Sequence, residues 1–253
     1  MPSASRPLLE IAAGSLASAL VAQEGGADRV ELCGNLGEGG TTPSYGTLAV
    51  ARDRLRIPLY ILIRPRAGDF LYDDAELEVM RRDVETCVRL GCDGVAIGAL
   101  DADGNVHRGA CDALIAAAGS LGVTFHRAFD AAHDQAAALE TIIDLGCERV
   151  LTSGAHASAP EGADVIADLV QQAKGRIRIM AGAGVTPENL AALLARSRAD
   201  EFHASARIGR TSLMRHRNDA LPGLSPDWHE TDPARVRELV AVLRGSSSRD
   251  VSS

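Results

Sequence analysis

GGADRV (residues 25–30) reads as an ordinary turn into a β-strand, but it returns as LGCDGV (90–95), LGCERV (145–150) and, more loosely, SRADEF (197–202). Each copy sets a small residue or cysteine before an acid and then enters an apolar run. In three of the four a glycine stands where a helix would end in the left-handed conformation. The acids Asp28, Asp93, Glu148 and Asp200 are 65, 55 and 52 residues apart, which fits two βα units per repeat and is too long for a small solenoid. Strands are expected at 8–12, 29–33, 58–64, 94–100, 123–128, 149–153, 176–181 and 201–205, so the repeat precedes every second one. Helical patterns lie between them: DAELEVMRRDVETCVRLG (74–91) keeps Leu77, Met80, Val84 and Val88 largely on one stripe, with Gly91 to stop it. Eight alternating strands and helices imply a parallel sheet, and a closed TIM (β/α)8 barrel is the expected fold. An open doubly wound sheet is the alternative, but AAGSLA (12–17) is not the glycine fingerprint it usually places after its first strand. The expected organisation is a single domain over 1–244, with an insertion at about 208–233 before the last helix and a disordered tail at 245–253.

Composition narrows the function. The chain has 253 residues, 46% hydrophobic and 24% charged, enough for one large core. A formal charge of −8 gives no electrostatic footprint for nucleic acid. No apolar run approaches the roughly 20 residues that span a bilayer, and the N-terminus lacks a secretory pattern, so cytoplasmic residence without membrane association is expected. Five cysteines, an odd number without CxxC spacing, suggest neither a disulfide framework nor a structural zinc site.

Side chains of a barrel strand alternate between interior and helices. With Leu9 and Ile11 outward, Glu10 points in; with Val30 and Leu32 outward, Glu31 and Cys33 point in. The same phase turns Arg64, His126 and His203 inward and Arg127 away, and leaves open whether Ser153 or Thr152 faces in. The result is a ring of charge at the C-terminal strand ends, where barrel active sites sit. Mutual neutralisation is the plainer alternative, but five strands contributing to one mouth point to a site. Glu10, Glu31, Arg64 and His126 are the candidate catalytic residues. Either the ring binds a small carboxylate or phosphate through Arg64 while a glutamate or His126 moves a proton, or Glu/Glu/His/His holds a divalent cation.

Loops add candidate ligand contacts: Arg66 and Asp69 after strand three, Asp130 after strand five, Ser153 after strand six, and Ser205 with His203 at strand eight. Gly182 and Gly184, in MAGAGVTPENL (180–190), precede a helix with Thr186 as N-cap and Pro187 first, an arrangement suited to phosphate. The insertion at 208–233 is expected to cover the mouth or to meet a second copy.

In order along the chain, DRVELC (28–33), EGGTTPS (38–44), IRPRAGDF (63–70), VTFHRAFD (123–130), RVLTSG (149–154) and MAGAGV (180–185) resemble the CutC family, called copper homeostasis proteins. The resemblance implies a cytoplasmic TIM barrel, often a homodimer, with a link to copper tolerance. Cys33 matches the family's VELC cysteine and becomes the candidate Cu(I) ligand. Some members carry a second cysteine just after the first-strand glutamate, where this chain has Ala12 and Ala13. A dithiolate site therefore needs a donor from elsewhere, since Cu(I) prefers paired soft ligands.

Overall fold

A computed structural model describes residues 6–218, 220 and 224–247. Eight strands, β1 (Leu8–Ala13), β2 (Arg29–Leu32), β3 (Leu59–Leu62), β4 (Gly94–Ile97), β5 (Gly122–Phe125), β6 (Arg149–Thr152), β7 (Arg178–Gly182) and β8 (Glu201–Ala204), pair in sequence order and close into a parallel barrel. Around it lie α1 (Leu16–Gly25), α2 (Tyr45–Arg54), α3 (Asp74–Leu90), α4 (Arg108–Ala118), α5 (Gln135–Asp144), α6 (Ala163–Ala173), α7 (Pro187–Ser197) and α8 (Pro233–Ser247). This is the expected TIM barrel. The helices begin and end where local chemistry directs: Asp73 and Glu76 form a capping box on α3, and Gly91, at φ 68°, turns the chain out of it.

The repeated acids pin the barrel at the N-terminal ends of its strands. Asp28 accepts from the backbone N–H of Leu9, Asp93 from that of Leu59 and Asp200 from that of Ile179, while their own N–H groups donate to the carbonyls of the same three residues. Each repeat thus locks an odd strand to the next even one. Glu148 keeps the backbone half of the arrangement, donating to Val123, but its longer side chain turns to Tyr60 and Arg149.

Inside the barrel the core is ionic as well as apolar. Arg29 bridges Glu10 and Glu201, Arg149 donates to Glu201 at 3.1 Å, and all four residues are buried. The two guanidinium groups lie 5.0 and 4.9 Å from the ring centroid of Tyr60. Tyr60 fits because glycines stand on the next two strands, Gly94 on β4 and Gly122 on β5; a Cβ at either would fall 2.1 Å from the phenol. Burying charge is costly unless each group is paired, and here each guanidinium meets a carboxylate.

Among the described residues, none of those lining the cavity at the barrel mouth comes from the region 208–233. It contains a hairpin, β9 (Arg207–Arg210) with β10 (Trp228–Thr231), absent from the sequence reading because its strands are short and lack alternation. Its base is held by Thr231, which donates its backbone N–H to Ser18 Oγ and its hydroxyl to the Ser205 carbonyl. Residues 245–247 of the expected tail belong to α8, which runs to Ser247 and buries Val236, Leu239, Val240 and Leu243; residues 248–253 lie outside the described ones.

Replacing Glu201 with Ala leaves Arg29 and Arg149 buried with too little countercharge. A loss of about 3–5 kcal/mol in urea unfolding is expected, the range for breaking a buried pair from one side. A loss below about 1 kcal/mol would show that the network contributes little.

Candidate functional site

A cavity of about 700 Å3 opens at the C-terminal ends of the strands, lined by Glu31, Arg64, His126 and His203 among the expected site residues, with Asp130, Gly184 and Ser205. Apolar walls come from Ala12, Leu36, Leu62, Phe70 and Leu151, and further cations from Arg127, Arg207 and Arg235.

Glu10 sits just beneath, fully committed. One carboxylate oxygen accepts from Arg29 and the other lies 2.7 Å from His203 Nδ1. Burial opposes its ionisation, yet Arg29 and His203 override that cost and hold the carboxyl well below its ordinary value. His203 responds in the opposite sense: burial disfavours its charge, but the hydrogen bond to Glu10 and the nearness of Glu31 raise its pKa. Its Nε2 faces Glu31 Oε2 at 3.9 Å.

Glu31 is the carboxyl left over. It is buried, and its Oε1 has no hydrogen-bond partner. Burial pushes its pKa up to about 7; His203 and Arg29 pull it down, and the Glu10 charge pushes it up. A carboxyl balanced near neutrality, with one oxygen unengaged in a cavity, is equipped to accept and return a proton.

His126 differs from the expected proton carrier. The strand ends at Phe125 and the chain enters a 3-10 turn over Arg127–Ala131, with His126 as its cap: Nδ1 accepts the Ala128 N–H at 3.1 Å. Burial, then the Arg64 charge, lower its pKa to about 3. The imidazole is therefore neutral, with its hydrogen on Nε2. Gly98 makes room for the ring, since a Cβ there would lie 2.6 Å from it.

The same turn overturns the expectation for Arg127. Strand phase no longer applies beyond Phe125, and Arg127 lines the cavity, donating to Asp130 at 2.8 Å and to Ser153 Oγ at 2.9 Å. Asp130 is spent on structure: it accepts from Thr152 Oγ1 at 2.6 Å and from the N–H groups of Ser153 and Ala155. Ser153, buried and bonded to Asp130 and the His156 carbonyl, does not line the cavity. Arg66 and Asp69 also stay outside it, paired with each other at 3.0 Å while Arg66 reaches Glu76. Gly182 is not a lining residue either; a Cβ there would lie 2.5 Å from Leu151 and 3.1 Å from His203, so it provides space for His203.

Cys33 does not line the cavity. It is buried with Leu62 and Ala96, its sulfur 3.6 Å from the Ala13 carbonyl. Burial, then Glu31, push the thiol upward, away from the thiolate a metal requires. Glu10, Glu31 and His203 form a group whose potential ligand atoms lie within 4.8 Å of one another.

A parallel (β/α)8 barrel with acid, imidazole and guanidinium groups at its C-terminal mouth is the class of protein defined by this geometry. The chain belongs to the CutC family, whose model matches residues 7–208. It is 61% identical over 236 residues, 93% of this chain and 98% of the relative, to the family protein CutC of Xanthomonas campestris. It is 49% identical over 243 residues, 94% of this chain and 89% of the relative, to the human copper homeostasis protein cutC homolog. The crystal structure of the copper homeostasis protein CutC from Streptococcus agalactiae superposes with a TM-score of 0.75 at 34% identity, covering 79% of this chain and 98% of that one.

Between pH 4.5, the ordinary value, and about 7 the unfolded chain loses the Glu31 proton while the folded protein keeps it, so this residue lowers stability as pH rises through that window. Glu31→Gln removes the dependence. Its stability relative to wild type is expected to rise by up to about 3 kcal/mol between pH 4 and pH 8 in urea titrations, following the size of the shift; a difference constant with pH contradicts the assignment.

Proposed function

We propose that the protein is a barrel enzyme that binds a small anionic molecule in its mouth and transfers a proton through Glu31. Glu31 carries this reading: it is the buried carboxyl with an unengaged oxygen in the cavity and a pKa of about 7. Glu10 and His203 hold it in that state. Arg64, Arg127, Arg207 and Arg235 supply positive charge around the same cavity, and the turn at Gly184 leads into α7, whose first helical residue is Pro187. These features support a carboxylate or phosphate on the ligand.

The names of the human and streptococcal relatives support a role in copper homeostasis as the wider process. Cys33 is poorly suited to Cu(I), being protonated and surrounded by a carbonyl and apolar groups. The Glu10, Glu31 and His203 group suits a divalent cation instead, with the free donors His203 Nε2 and Glu31 as ligands and Glu10 orienting the imidazole. That divalent site is the second reading. Cytoplasmic residence agrees with the absence, among the described residues, of any helix long and apolar enough to cross a membrane. A homodimer is proposed as well. The exposed apolar side chains Leu213, Met214, Leu224 and Trp228, in and beside the hairpin, support this reading.

Screening small carboxylated and phosphorylated metabolites by thermal unfolding is expected to find ligands that raise Tm, at about 2.7 kcal/mol of stabilisation when ligand exceeds Kd a hundredfold. If nothing in the panel shifts wild type more than Arg64→Ala, the anion reading fails. Cu(I) titration of wild type and Cys33→Ser is expected to give equal affinities; a loss in the variant returns Cys33 to the site. Zinc titration of metal-free protein, compared with His203→Ala, tests the second reading through a stoichiometry that falls from one to zero in the variant.

A further inference from the structure

We infer that Arg64 and His126 form a ready-made oxyanion pocket for a single carboxylate group, with Arg64 Nε–H and His126 Nε2–H as its donors. It rests on the small-anion reading of the barrel mouth and specifies where the charged end of the ligand sits. Both side chains line the cavity and both rest on Phe70, the Arg64 guanidinium 5.1 Å and the His126 ring 5.3 Å from its centroid.

Arg64 is held on three sides. Its Nη1 donates to the carbonyls of Glu38 at 3.0 Å and Gly40 at 2.9 Å, and its Nη2 donates to that of Gly68 at 2.7 Å. These bonds tie the loops after β2 and β3 to one planar group and leave Nε–H over. That nitrogen is buried and has no partner. His126 is held as firmly: its Nδ1 is used by the Ala128 N–H, so the ring hydrogen stands on Nε2, also buried and without a partner.

Buried donors in folded proteins are rarely left without acceptors, because the loss of water is then uncompensated. Two such donors, one cationic and one neutral, against the same aromatic ring form a site pre-set for an oxygen atom that carries or acquires negative charge. The neutral state of His126 is an asset here, since an imidazolium beside Arg64 would repel it. Arg127, Arg207 and Arg235 line the same cavity, but the pair itself offers one positive charge and two available N–H groups, which match one carboxylate group. A phosphate dianion brings more charge and three terminal oxygens, more than this pair satisfies. His126 is thus a donor to the ligand, not the base, and proton transfer falls to Glu31.

Nitrogen-detected NMR of His126 tests this with acetate, pyruvate and inorganic phosphate as probes on the full chain. In free protein the ring is expected as the Nε2–H tautomer, with no titration down to about pH 4, consistent with its low pKa. Acetate or pyruvate is expected to shift the Nε2–H resonance downfield saturably in the millimolar range, as suits such small ligands. His126→Phe, which keeps a ring on Phe70, is expected to weaken that binding about tenfold. Arg64 variants lose the three loop contacts, so the wild-type titration carries the test. An Nδ1–H tautomer, an ordinary imidazole titration, or the absence of any saturable carboxylate shift overturns the pocket. Phosphate binding more tightly than either carboxylate at His126 overturns the carboxylate assignment. Anion binding that leaves His126 unmoved overturns the pocket while sparing the proposed function, and no saturable binding of any probe removes both.

Discussion

The ion pair between Arg29 and Glu10 inside the barrel organises the site above it. Arg29 holds Glu10 ionised despite burial, and Glu10 then uses its second oxygen to fix His203. With Arg29 and His203 both engaged by Glu10, the next carboxyl along β2, Glu31, is left without a full partner and moves toward neutrality. Two glutamates on adjacent strands thus acquire opposite roles. Burial pushes both carboxyls toward neutrality; Arg29 and His203, bonded directly to Glu10, override that cost there, whereas at Glu31 they offset it only in part. The same arginine also reaches Glu201, so the network that supports the barrel interior and the electrostatics of its mouth share a residue.

Rigidity around the mouth comes from charged side chains that tie its loops to the rest of the protein. Asp130 gathers the end of β6, Arg64 gathers the loops after β2 and β3, and Arg66 ties its own loop to α3 through Glu76. Such groups resemble site residues in sequence because they are polar and follow strands. Their geometry separates them, since Asp130, Arg66 and Asp69 already have partners, whereas Glu31 Oε1, Arg64 Nε and His126 Nε2 do not. Catalytic chemistry belongs with the atoms that folding leaves unsatisfied.

How far the site was readable depended on whether the strand period held. It held along β1, β2 and β8 and just past the end of β3, where Glu10, Glu31, His203 and Arg64 turn inward between apolar neighbours that face the helices. It failed after Phe125, where a 3-10 turn capped by His126 swung Arg127 into the cavity. The pairing of Arg29 and Arg149 around Tyr60 left a signal in the sequence, glycines at 94 and 122 opening space in the barrel, but one interpretable only once the strand register was known. Cys33 had the right phase to face inward, yet it lies within a small apolar cluster and not on the cavity.

The sequence by itself determined the architecture, because the capping residues and the strand period act within a few residues of one another and the acid repeat marks every second strand. Along β1, β2 and β8 it also determined which acids and histidine turn inward. Tertiary structure alone decided which of them are spent on one another, because hydrogen bonds such as Glu10 to His203 join residues from opposite ends of the chain. Protonation of Glu31, neutrality of His126 and the unused N–H of Arg64 follow from that pairing, through burial and nearby charge that no single stretch of sequence contains.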